Sequence, residues 1–149
     1  MMTEEYLSPS QGTGGNLASR KFKGEFFMLN LLRFRDVADY SATPELASSE
    51  KISGREAYQI YIDHTLPLLK KSGGDIHFLG SGGEYMIGPA KDRWDLVMII
   101  RQKSIHAFSE FASNKDYNIG FGHRQAALED SRLLPIEELV SNKVNLKRK

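Results

Sequence analysis

Two stretches of this chain are apolar without the usual alternation, and they constrain the fold more than anything else in it. Phe26-Phe27-Met28-Leu29-Asn30-Leu31-Leu32-Arg33-Phe34-Arg35 carries one amide in an apolar run and closes on two guanidiniums. Asp95-Leu96-Val97-Met98-Ile99-Ile100-Arg101 is the second. A strand with one wet face alternates apolar and polar residues, and neither stretch does. Both read as central strands that need cover on each side. Asn30 is the exception within the first. Its amide has donors and an acceptor, and burying them unpaired costs ~2–7 kcal/mol. It needs a partner, either a structural group nearby or a ligand in a pocket.

Composition narrows the classes that remain. At 149 residues the chain is one domain by length and can bury about 68–70% of the surface its unfolded form exposes. Net charge is +1, and the only block of like charges is Lys147-Arg148-Lys149. No electrostatic footprint for nucleic acid is expected from that balance. There is no cysteine, which excludes disulfides, thiolate zinc sites and a thiol nucleophile, and fits a cytoplasmic setting. No apolar stretch approaches the ~20 residues of a membrane span, so no membrane partner is expected. Thr3-Glu4-Glu5 lacks the basic-then-apolar order of a signal peptide.

Taken in order, residues 1–24 are rich in Gly, Ser and Thr and read as an N-terminal arm. Gly12-x-Gly14-Gly15 lacks both the strand and the Gly-Lys-Ser/Thr of a phosphate loop. Asp36 to Lys51 has no periodicity and reads as a long surface loop, a length often tied to a lid or a subunit contact. Ser53-Gly54-Arg55-Glu56 matches a capping box. The helix it opens has helical apolar spacing from Ala57 to Leu69, contains Pro67, and stops at Gly73-Gly74. Asp75 to Gly88 reads as one extended strand bent by a glycine bulge, because no Asn-Gly or Asp-Gly pair marks a tight reversal. After the second apolar strand, Ser104 caps a helix with Ile105, Phe108 and Phe111 inward. Asn114-Lys115-Asp116 breaks it. Helical character resumes from Tyr117 to Asp130, and a short strand follows at Arg132–Ile136. The domain is expected over 25–137, with a polar C-terminal tail at 138–149.

Strand, helix, strand, strand, helix, strand gives an α+β fold, a ferredoxin-like antiparallel sheet with both helices on one face. That plan leaves the other sheet face open, yet the central strands are apolar on both sides. A second copy of the sheet is the simplest cover, so the expected assembly is a homodimer, a dimeric α+β barrel.

From Met28-Leu29-Asn30-Leu31-Leu32-Arg33-Phe34-Arg35-Asp36 and Ala38-Asp39-Tyr40-Ser41, the chain resembles a family of uncharacterised proteins, the domain of unknown function numbered 1330. The likeness continues at Tyr58, Pro67-Leu68-Leu69, Gly88-Pro89, Arg93-Trp94-Asp95, Tyr117, His123-Arg124, Ala127 and Asp130-Ser131-Arg132-Leu133-Leu134. It covers roughly Phe26 to Ile136. The resemblance implies a dimeric α+β barrel. That wider group includes cofactor-free monooxygenases, haem-degrading enzymes, lactone isomerases and proteins without known activity, so fold alone does not name a reaction.

The candidate site residues follow from chemistry. Asn30, His64 and His123 are the candidate catalytic groups, and Arg33, Arg35, Tyr61, Trp94 and Arg124 the candidate ligand-binding ones. His64 beside Asp63 has the make-up of a general base near neutral pH, or is an exposed helix histidine. Arg33 and Arg35 share a strand face and suit a carboxylate or enolate, or else pair with Asp36, Asp39 or Asp130. Trp94 reads mainly as packing, with its indole N–H on a carbonyl. In the haem-degrading relatives an Asn on the first strand, a Trp and a His form the working set. Those types are present here, but at different spacing. No histidine and carboxylate set has metal-ligand spacing, and no cofactor is expected. The expected function is binding or transforming a small organic molecule between sheet and helices. The alternative is a non-catalytic ligand-binding or assembly module, with haem degradation behind both.

Overall fold

The computed structural model describes residues 20–139, together with Tyr6, Leu7, Leu17 and Leu146. Most of the expected arm and tail lies outside the described residues. Strand β1 (Phe26–Phe34) leads through a loop with a 3-10 turn at Pro44–Leu46 into helix α1 (Gly54–Lys71). Strands β2 (Asp75–Glu84) and β3 (Arg93–Gln102) follow, then α2 (Ile105–Ala112), α3 (Lys115–Ala127) and β4 (Leu128–Ile136). The sheet order is β2-β3-β1-β4, antiparallel at every pairing. The fold is α+β and ferredoxin-like, with the second helix divided in two.

The helix starts at Ser53 and Ser104 were written in the sequence. Ser53 Oγ accepts from the Glu56 amide and the Glu56 carboxylate accepts from the Ser53 amide, each at 3.0 Å. Helix α1 then runs through Pro67 to Lys71. Ser104 Oγ caps α2 from the Ala107 amide. Asn114 both ends that helix and caps the next, its Oδ1 accepting from the amides of Asp116 and Tyr117.

β2 is a single strand, as expected, but its register shifts at His77, between Ile76 and Phe78, and not at the glycines. β4 begins at Leu128, four residues before the expected start, so Asp130 sits on a strand and not on a helix. The cause is tertiary. Leu128, Asp130 and Ser131 take their pairing from Phe34, Arg33 and Leu32 of β1, and that ladder overrides the local helical pattern.

Alternation along the strands sorts the two faces. Met28, Asn30 and Leu32 of β1 and Met98, Ile100 and Gln102 of β3 share one face; Leu32 and the three β3 residues are within the described core or its buried polar set. The helices cover that face. On the other, Leu29, Leu31, Val97 and Ile99 are only half-buried, flanked by Phe78 and Leu134, each 52% exposed. Within one chain the central strands are thus covered on one side only. The ends of β1 and α3 meet the start of α1 very closely: a Cβ on Gly54 would lie 2.3 Å from the Arg35 carbonyl oxygen and 2.5 Å from that of Ala127.

Candidate functional site

Between the sheet and the helices lies a cavity of about 630 Å³. Its floor is Met28 and Asn30 of β1 with Met98, Ile100 and Gln102 of β3. α1 contributes Tyr58, Tyr61, Thr65 and Leu69, which recur every three or four residues and so share one face. Phe108 and Phe111 of α2 and Tyr117, Phe121 and Arg124 of α3 form the remaining wall. Tyr6 and Leu7 lie at its edge. The walls are largely apolar, with a few polar atoms converging on the interior, as small-molecule sites generally are.

Those polar atoms are poorly satisfied. Asn30 Nδ2 donates to the Met28 and Met98 carbonyls at 3.2 and 3.4 Å, while no described group donates to its Oδ1. Thr65 Oγ1 and Gln102 Oε1 are buried with no hydrogen-bond partner. Buried polar atoms are nearly always paired, so each such exception needs a reason. Asn30 faces Met98 across the ladder and Gln102 is four residues further along β3. At ~3.3 Å per residue, the two amides stand about 13 Å apart along the floor.

The hydroxyls opposite are weak acids made weaker. Burial pushes Tyr58 up to about 12, and the nearby Arg124 charge offsets only part of this. Burial likewise holds Tyr61 well above its ordinary value, with Tyr117 and Tyr58 adding to it. Tyr61 and Tyr117 hydroxyls are 3.1 Å apart. At neutral pH Tyr58 and Tyr61 stay protonated and serve as hydrogen-bond donors or acceptors. Among the described residues lining the cavity there is no histidine and no carboxylate.

Of the residues singled out from sequence, the cavity brings together Asn30, Tyr61 and Arg124. The other five lie elsewhere. His64 contacts the Asp116 carbonyl through Nε2 and crosses α3 at Gly120, where a Cβ would lie 2.3 Å from His64 Cδ2. His123 Nδ1 is 2.8 Å from the Tyr40 hydroxyl. Burial lowers the His123 pKa, and the His64 charge lowers it further. The unfolded chain therefore takes up a proton on His123 before the folded one does. Stability from this residue is full above about pH 6.5 and is lost as pH falls through the folded pKa. Denaturation midpoints at pH 7.5 and 5.5 should differ less for His123→Phe than for the unsubstituted chain.

Arg33 is engaged in structure. Its Nε donates to the Arg93 carbonyl at 2.9 Å, its guanidinium lies 3.7 Å from Asp130 and 3.9 Å from Asp92, and it covers the Trp94 ring. Trp94 is 4% exposed, and its indole N–H donates to the Tyr85 hydroxyl at 2.7 Å, where a carbonyl was expected. Arg35 Nε is buried without a partner, outside the cavity.

Sequence reasoning missed Thr65, Gln102 and Tyr58. Gln102 carried a signal, since it continues the Met98, Ile100 phase onto the apolar face. Among the described residues no group of three or more histidines and acids is placed to hold a metal, and no helix is long and apolar enough to cross a membrane.

The fold recurs in a solved protein. The crystal structure of the methylated RPA0582 protein superposes with a TM-score of 0.83 at 31% identity, over 93% of this chain and 98% of that one. A second structure of RPA0582, described as a protein of unknown function from Rhodopseudomonas palustris, gives 0.80 at 30% identity, over 93% of this chain and 100% of that one. The chain belongs to the RPA0582 family. Its RPA0582 relative brings no reaction with it. A dimeric ferredoxin-like protein of unknown function from Thermobifida fusca is more distant, at 14% identity over 77% of this chain and 92% of its own, with a TM-score of 0.45, and carries no argument. No protein-family model and no curated protein matches the chain.

Proposed function

We propose that this protein binds a small organic molecule in the cavity between sheet and helices. The observation that carries the reading is a cavity of about 630 Å³ with mostly apolar walls, on whose lining residues two buried oxygens, Thr65 Oγ1 and Gln102 Oε1, have no hydrogen-bond partner. A ligand toward which these two side chains turned, and which donated to their oxygens, would satisfy both. Asn30, Tyr61 and Arg124 are the remaining polar contacts. Because the described lining holds no histidine and no carboxylate, the reading favours binding over general acid–base chemistry. Haem degradation finds no support in this cavity, whose described lining includes neither a histidine nor Trp94. Kinship to the numbered uncharacterised family belongs to the same reading and rests on the residues quoted for it.

The test uses Thr65→Val and Gln102→Leu. Each removes a buried polar atom that has no partner to strand, so each should raise stability by ~1–3 kcal/mol. At ~2–4 °C per kcal/mol for a chain this size, melting temperature should rise by several degrees. A thermal-shift screen of small organic molecules should find ligands for the unsubstituted chain whose shift these variants lose. Loss of stability in both variants would show that the oxygens serve the fold, and would overturn the reading.

We also propose that two copies meet through the half-covered sheet face. Leu29, Leu31, Val97 and Ile99 with Phe78 and Leu134 form an apolar surface. An apolar surface of that continuity is typical of an interface.

A further inference from the structure

We propose that the cavity's ligand is a monocarboxylate with an apolar body, and that its carboxylate displaces the Leu7 carbonyl from Arg124. The proposal rests on the cavity being a binding site and adds the class of molecule it takes. Arg124 is 7% exposed and lines the cavity. Its Nη1 donates to the Leu7 carbonyl oxygen at 2.6 Å, and Phe121 lies under the guanidinium at 5.7 Å. Among the described residues no carboxylate comes within 4.0 Å of it. A guanidinium taken out of water loses several kcal/mol of hydration, and a neutral carbonyl returns only part of that. A carboxylate would return more, since it brings a full counter-charge and accepts from the guanidinium in a bidentate fork.

The obvious internal anion is unavailable. Asp130 Oδ1 already accepts from the Tyr6 and Ser131 amides and from Arg132 Nη1, and Oδ2 faces Arg33 at 3.7 Å. The described lining holds Arg20, Arg124 and Arg132 and no acid, so the cavity favours an anion. A bidentate guanidinium fills about two of a carboxylate's four acceptor sites, and the protonated Tyr58 hydroxyl, already a partner of Arg124, stands beside it. The aromatic and aliphatic walls suit an apolar remainder.

The Leu7 carbonyl is a neutral placeholder where an anion fits. Tyr6 and Leu7 are tied down by the Tyr6 amide on Asp130, the Ser131 hydroxyl on the Tyr6 carbonyl, and Arg124 on Leu7. A ligand carboxylate competes for the third of these alone. Loosening the segment should therefore help the ligand.

Octanoate and 1-octanol, which share an apolar body, serve as probes in calorimetric titrations of the full chain. Octanoate should bind at least tenfold more tightly than octanol, and Arg124→Gln should abolish that difference. Leu7→Ala, which removes packing but leaves Arg124 intact, should tighten octanoate by about two- to tenfold, the worth of one net hydrogen bond. Equal binding of the two probes, or an octanoate preference that survives Arg124→Gln, would overturn the carboxylate assignment while leaving an apolar binding cavity. Unchanged or weaker octanoate binding in Leu7→Ala would overturn the displacement. Should Arg124→Gln fail to fold, the probe pair on the unsubstituted chain and Leu7→Ala still decide both points. Failure of octanoate to bind also overturns the proposal, whereas the cavity reading stands or falls on the Thr65 and Gln102 variants.

Discussion

Ile99→Lys is expected to leave a folded chain that no longer dimerises. Ile99 lies in the middle of β3, opposite Leu29 of β1 and Phe78 of β2. Its side chain points away from the helices, on the face that a single chain leaves half-covered. In one chain a lysine there reaches water along its own stem at little cost. In a two-fold assembly the substitution appears twice across one interface. Each buried, unpaired charge costs ~3–5 kcal/mol, so the pair weakens association by more than four powers of ten. Sedimentation at micromolar concentration should show the unsubstituted chain as a dimer and Ile99→Lys as a monomer. Val97→Lys, on the same face, should behave alike. Met98→Lys is the contrast: Met98 is 4% exposed on the helix side, so that variant should lose the fold itself. A monomeric unsubstituted chain would remove the dimer outright.

How much of this was legible depends on which forces set each feature. The caps at Ser53 and Ser104 are local chemistry, and local chemistry can be read from a line of residues; Asn114 reads as a break, yet it also caps a helix that starts at Lys115, two residues before the expected Tyr117. The element order followed from periodicity in the same way. The start of β4 did not, because Leu128 and Asp130 are held extended by a strand nearly a hundred positions earlier. The cavity was half legible. Asn30 stood out as a lone amide on an apolar face, and it does line the space. His64 stood out for its chemistry, but helical geometry turns it away. Tyr61 and Thr65 share a face at i,i+4, and His64 is offset from Thr65 by about 100° and from Tyr61 by about 60° at 3.6 residues per turn, toward α3. Thr65 passed unnoticed because a threonine in a helix looks like filler until its hydroxyl is found without a partner.

Asp130→Ala is expected to be the most destabilising single polar substitution in the chain. The carboxylate is 1% exposed and serves four groups at once. Oδ1 accepts from the Tyr6 amide at 2.7 Å, and from the Ser131 amide and Arg132 Nη1 at 2.8 Å each. Oδ2 lies 3.7 Å from Arg33. Removing it leaves Arg33, whose side chain is 11% exposed, with Asp92 at 3.9 Å as its only nearby described carboxylate. Arg132 keeps its place over the Tyr6 and Trp94 rings but loses its counter-charge. Breaking a buried pair from one side costs ~3–5 kcal/mol, a large share of the 5–15 kcal/mol typical of a whole domain. Asp130→Asn separates charge from hydrogen bonding, because the amide oxygen still accepts from the two backbone N–H groups. It should lose about half as much, and denaturant midpoints compared at equal slope would read both losses. If Asp130→Ala lost less than about 1 kcal/mol, the network would be behaving as a surface pair screened by water, and Tyr6 would be anchored by the Ser131 hydroxyl and ring contacts instead.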